Sequence, residues 1–68
     1  MVVVKIVEVI GSSPKSWEEA TKNALEETAE TVKNIKSIDV KGFTVKVKDN
    51  KILEYRAVVH IAFVVERN

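Results

Sequence analysis

The sequence predicts an α+β fold, a βαββ chain whose three-stranded antiparallel sheet, in strand order 1-3-2, packs on one helix. Three features predict it: a Val/Ile-rich run stopped by Gly11-Ser12-Ser13-Pro14, one stretch with apolar residues every three or four positions, and two alternating runs joined by Asp49-Asn50-Lys51. The 68 residues read as one domain, 1–68. A domain of that size buries only about 60% of its unfolded surface, so help from partner subunits is plausible from the outset.

The first strand, Val2 to Ile10, carries Lys5 and Glu8 as its only charges before the turn residues end it. A helix starts next, with Ser13 as cap and Pro14 in the first position, or with Ser16 as cap and Glu19 closing a capping box. Its stripe runs Trp17, Ala20, Ala24, Thr28, Val32, Ile35, one narrow apolar face opposite Glu18, Lys22, Glu26, Glu27, Glu30 and Lys33. Early carboxylates and the late Lys33 and Lys36 suit the helix dipole at both ends. Beyond it, Ile38 and Val40 alternate with Asp39 and Lys41, but after Gly42 the apolar phase slips to Phe43, Val45 and Val47. A one-residue slip at glycine is the mark of a β-bulge. Asp49-Asn50-Lys51 makes a tight turn, Asn50 tolerating positive φ. The last strand, Ile52 to Glu66, has one wholly apolar face, Leu53 to Val65, and one half-polar face with Glu54, Arg56, Val58, His60, Ala62 and Val64.

A helical crossover makes the first two strands parallel, and the short turn makes the third antiparallel to the second. Order 1-3-2 then gives a wholly antiparallel sheet with its longest, most apolar strand in the centre. One helix covers one face. The other face, with Val58, Ala62, Val64 and valines of the first strand, needs other cover, as do two long strand edges. Self-association into a homo-oligomer is the physical expectation.

Composition excludes several functions. Eleven basic residues are interspersed with ten acidic ones for a net charge of +1, so neither nucleic acid nor a membrane surface is an expected partner. No cysteine removes disulfides, thiolate metal sites and thiol catalysis. Lys5 and Glu8 interrupt the opening valines, so no signal peptide or membrane span is expected and the location expected is cytoplasmic. The serines lack readable Asp-His support, and Gly11 and Gly42 alone cannot form a phosphate-cradling loop. No enzyme is expected.

The order and spacing of Val9-Ile10-Gly11-Ser12-Ser13, Ser16-Trp17-Glu18-Glu19-Ala20, Val32-Lys33-Asn34-Ile35, and Glu54-Tyr55-Arg56 leading to Ala62-Phe63 resemble the dodecins. The resemblance covers nearly the whole chain. It implies a hollow homododecameric shell that binds or stores a small-molecule ligand. Familiar dodecins stack flavin on a tryptophan just after the helix and use a glutamine after the tyrosine of the last strand; the matching positions are Ser37 and Arg56. The resemblance thus implies ligand contact at Ser37 and Arg56, with binding of riboflavin or FMN weakened, because serine has no π face. It looks more like a flavin-poor branch, for which calcium is the proposed ligand, while other dodecins accept coenzyme A. Trp17 falls at the helix start and reads as an anchor packing the first turn on the sheet.

Arg56 on the half-polar face has two readings, a bidentate contact to a ligand phosphate or an ion pair with Asp39 or Glu54. His60, the only histidine, reads as a packed or hydrogen-bonded side chain rather than a metal ligand. No calcium-loop pattern occurs. Asp39, Asp49, Glu54 or Glu66 from several subunits could instead gather around a symmetry axis, and no spacing singles out a metal residue.

Overall fold

The computed structural model describes residues 2–66; the side chain of Glu66, one of the candidate carboxylates, lies outside the described part. Four elements follow in the expected order: β1 (Val2–Ser13), α1 (Trp17–Ala29), β2 (Ile35–Lys48) and β3 (Lys51–Glu66). The sheet has three strands in the order β1-β3-β2, and both pairings are antiparallel.

Local chemistry explains the junctions. Ser16 is the cap, its side chain accepting from the Glu19 N–H at 3.0 Å. The reciprocal half of a capping box is replaced by another bond, because the Ser13 hydroxyl donates to the Glu19 carboxylate at 3.0 Å. Buried Ser13 also accepts from the Lys15 N–H at 3.0 Å, tying the β1 end to the helix start. The β2-β3 hairpin turns through Asp49 (φ 52) and Asn50 (φ 60), two successive left-handed residues that match the twist of the flanking strands. The phase slip at Gly42 is a bulge, since Val40 pairs with Val59 and Gly42 with Val58. Further shifts at Ile35/Ser37 and Lys46/Val47 have no such signature in the sequence.

The helix is shorter than its apolar stripe predicts. It ends at Ala29, so Val32 lies in the connection and Ile35 opens β2. Asn34 at φ 63 redirects the chain, its carbonyl accepts from the Val64 N–H at 3.0 Å, and Ile35 pairs with Phe63. Pairing with β3 overrides the helical spacing here, where β-branched Thr28, Thr31 and Val32 hold a helix weakly. Lys33 and Lys36 therefore fall outside the helix, and its last turn carries no basic residue.

Ala20, Ala24, Ala57, Val59 and Ile61 form the buried core, with Val7, Val9, Ile35 and Ile38 packed against it. The alanines set how closely helix and sheet meet. A Cβ at Gly11 would lie 2.0 Å from the Ala20 carbonyl oxygen, so only glycine fits beneath the helix there. Thirteen helical residues span about 20 Å, whereas the molecule is 54 Å long. Both ends of the sheet reach past the helix.

Candidate functional site

Alternation along β3 assigns the sheet's faces. Ala57, Val59 and Ile61 point at α1, so Arg56, Val58, His60, Ala62 and Val64 share the face the helix leaves bare. The register adds Val4, Ile6, Glu8, Ile10 and Ser12 from β1, and Ser37, Asp39 and Thr44 from β2. On this face Val4, Ile6 and Ile10 are each at least 60% exposed. An apolar surface of this extent on a small chain marks an interaction site.

Polar side chains cross the bare face in rows. One row joins Ser12, Arg56 and Thr44. The Arg56 Nε donates to Glu54 Oε2 at 2.9 Å, so of the two carboxylates considered for it, Glu54 is the one engaged. The next polar row joins Glu8, His60 and Asp39, with His60 Nε2 and Glu8 Oε2 hydrogen bonded at 2.9 Å. Glu8 reads in sequence as one of two charges on the first strand; its partner is legible only once strand order and register are known. Asp39 pairs with Lys41 at 2.8 Å, and the hydrogen bond and positive charge of Lys41 hold its carboxyl below the usual 3.8. The last row sets Ser37 opposite Ala62.

The two residues matched to the flavin positions thus share one face without meeting. Ala62 stands six residues from Arg56 along β3, so Ser37 and Arg56 are about 20 Å apart in one subunit. A single chain does not unite them. Ser37 also supplies no ring for a flavin to stack on, so the residues of one subunit do not fit a flavin. A calcium ion fares no better, because no group of three His, Asp or Glu side chains among the described residues could hold a metal. Asp39 and Glu54 are each engaged by a cation instead.

Trp17 packs as expected of an anchor. Its Nε1–H donates to the Thr44 carbonyl at 3.0 Å, and its ring meets Tyr55 edge-on at 5.2 Å and Phe43 at 5.6 Å. It lies on the helix side, away from the bare face.

The family model for Dodecin matches residues 3–66. The chain belongs to the dodecin family. Its fold agrees closely with solved members and relatives. A Thermus thermophilus protein is 26% identical with a TM-score of 0.92, each chain being covered over 100% of its length. The calcium dodecin of Mycobacterium tuberculosis, described as a calcium-chelating immunodominant antigen, is 32% identical with a TM-score of 0.82, covering 90% of this chain and 87% of that one. A dodecin from Streptomyces coelicolor reaches a TM-score of 0.93 at 19% identity, covering 98% and 96%, a likeness that speaks to fold alone. No curated protein matches the chain. Among the described residues, no helix is long and apolar enough to cross a membrane.

Proposed function

We propose that the chain is a non-catalytic small-ligand binding and storage protein that works as a hollow homododecameric shell in the cytoplasm. The observation that carries this reading is the bare apolar face, which bears both Ser37 and Arg56 and lies opposite the single helix, whose packing covers only the other face of the sheet. Its shape argues the same way. A compact chain of this length has a radius of gyration of about 11 Å, against 14.0 Å observed. A folded monomer of 7.6 kDa exposes about 4,300 Å², against 5191 Å² here. The surplus is surface that a second copy covers.

Two bare faces brought together in opposite directions set Ser37 of one subunit toward Arg56 of another. The ligand site is composite on this reading, and it exists only in the assembly. Its ligand is a flavin, riboflavin or FMN, bound more weakly than in relatives that have an aromatic platform, with Arg56 serving a phosphate when Glu54 releases it. Size-exclusion chromatography with light scattering tests the shell, and a monomer mass refutes it. Titration with riboflavin and FMN, followed by absorption and fluorescence quenching, tests the ligand; unchanged spectra at high micromolar concentrations refute flavin binding.

A flavin-free shell that binds calcium or coenzyme A is the second reading. The likeness at 32% identity to a calcium dodecin favours calcium. Asp39, Asp49 and Glu54 of several subunits would have to converge, because no single subunit gathers three donors among its described residues. Melting with and without chelator separates the two, an unchanged midpoint counting against calcium.

A further inference from the structure

The unequal lengths of the strands give Glu54 a choice of partners. β1 stops at Ser13, opposite Tyr55, so Glu54 has a cross-strand neighbour on one side only, and that neighbour is Lys46 of β2. Residues two apart on a strand, and residues directly opposite on the next one, share a face. Glu54, Arg56 and Lys46 therefore stand together on the bare face, with the exposed Ser12 and Thr44 on either side of Arg56. One carboxylate thus has two cations within reach. In the structure it pairs with Arg56, at 2.9 Å, and not with Lys46.

That choice bears on what the face accepts. A guanidinium presents its donors in a planar fork that fits a phosphate. Glu54 occupies the Nε side of this fork. A phosphate monoester brings a charge of roughly −1.5 to −2, so at the remaining Nη edge it would meet the negative charge of Glu54. It gains the whole fork only when the carboxylate leaves. Leaving is cheap on two counts. With side chains 27% and 41% exposed, Glu54 and Arg56 form a partly solvated pair of the kind that contributes little. Lys46, directly opposite Glu54, also stands ready as a second partner, at the Cβ separation of a cross-strand pair, about 4.5–5.5 Å.

We propose that Glu54 sets the ligand specificity of this face. While it holds Arg56, its carboxylate favours neutral ligands over phosphate-bearing ones, and Lys46 receives it when a phosphate takes its place. The inference rests on the ligand-binding reading given above and deepens it. Because the three residues belong to one subunit, the exchange itself does not depend on the shell.

Riboflavin and FMN differ by one phosphate, so their affinities for the wild type and two variants test the exchange. Glu54→Gln, which keeps the shape of the side chain, should tighten FMN roughly two- to fivefold relative to riboflavin. Lys46→Met should weaken FMN relative to riboflavin, because the displaced carboxylate loses its second partner; an unchanged ratio there refutes the part given to Lys46. A ratio unchanged by Glu54→Gln overturns the role of Glu54 and leaves flavin binding standing. If neither flavin binds, inorganic phosphate is titrated instead and the Nε–H resonance of Arg56 is followed by nitrogen-15 NMR, where Arg67 is the chain's one other arginine. That resonance should respond at lower phosphate in Glu54→Gln than in the wild type, which upholds the exchange while the flavin reading falls. A resonance that responds equally in both proteins, or in neither, overturns the proposal.

Discussion

Replacing Gly11 with alanine tests the closest approach in the fold. The added Cβ would sit 2.0 Å from the Ala20 carbonyl oxygen and 2.8 Å from the Ala24 Cβ, whereas ordinary contact begins at 3.4 Å. The first obstacle is helix backbone, which no rotamer change can relieve, so α1 must lift from β1 by more than 1 Å. That opens the seam over Ala57 and Val59, two of the few fully buried side chains. Overpacking a tight core costs about 1–3 kcal/mol, and a backbone clash belongs at the upper end. For a domain this small, each kcal/mol moves the melting midpoint by about 4–8 °C, so a fall of roughly 10–20 °C is expected. The assay is thermal melting by far-UV circular dichroism at one fixed protein concentration, because the midpoint of an oligomer depends on concentration. Gly42→Ala is the control, since nothing lies within 4 Å of its added Cβ and its φ is not positive. It should stay within about 0.5 kcal/mol of the parent. If Gly11→Ala melts alongside Gly42→Ala, the close helix–strand contact is wrong.

Three further outcomes follow from named contacts. Ser16→Ala removes the oxygen that accepts from the Glu19 N–H and should cost about 1 kcal/mol in the same melting assay; no change would mean that the Ser13–Glu19 bond alone fixes the helix start. Asp39 has its carboxyl held down by Lys41, so whatever the pair contributes is present above pH 3.8 and is lost as pH falls through the lower folded value. Lys41→Ala should bring the Asp39 titration, followed by carbon-13 NMR, back up toward 3.8, and an unmoved titration would assign the effect elsewhere. Ser37→Trp supplies the missing aromatic face, worth about 0.5–1.5 kcal/mol, and should tighten riboflavin roughly two- to tenfold by fluorescence quenching; Arg56→Ala should then weaken FMN more than riboflavin. Failure of both would mean that the composite site does not form.

Much of the backbone was legible in the sequence, because local chemistry decides it. Asp49 and Asn50 tolerate the left-handed conformation a two-residue hairpin demands, and that hairpin with one helical crossover dictates strand order. Gly42 marks its bulge by shifting the apolar phase, and the helix cap is Ser16, one of the two serines that the sequence leaves as candidates. Trp17, too, packs where its place on the first turn predicts. The bare face follows from arithmetic open to any reader of the chain, one amphipathic helix against three strands.

Contacts between distant residues decided the rest. The apolar spacing runs on through Val32 and Ile35, yet α1 stops at Ala29 because Ile35 gains a ladder partner in Phe63 that no local pattern announces. Arg56 faces two candidate carboxylates in the sequence, and only the folded rows select Glu54. Ser37 and Arg56 look like one site when aligned with a family, but strand register puts them about 20 Å apart in a subunit. Helical and strand periods are properties of a few consecutive residues and survive in the sequence. Register, helix ends and the distance across a face are set by the summed pairing of whole strands, and they exist only after the chain has closed on itself.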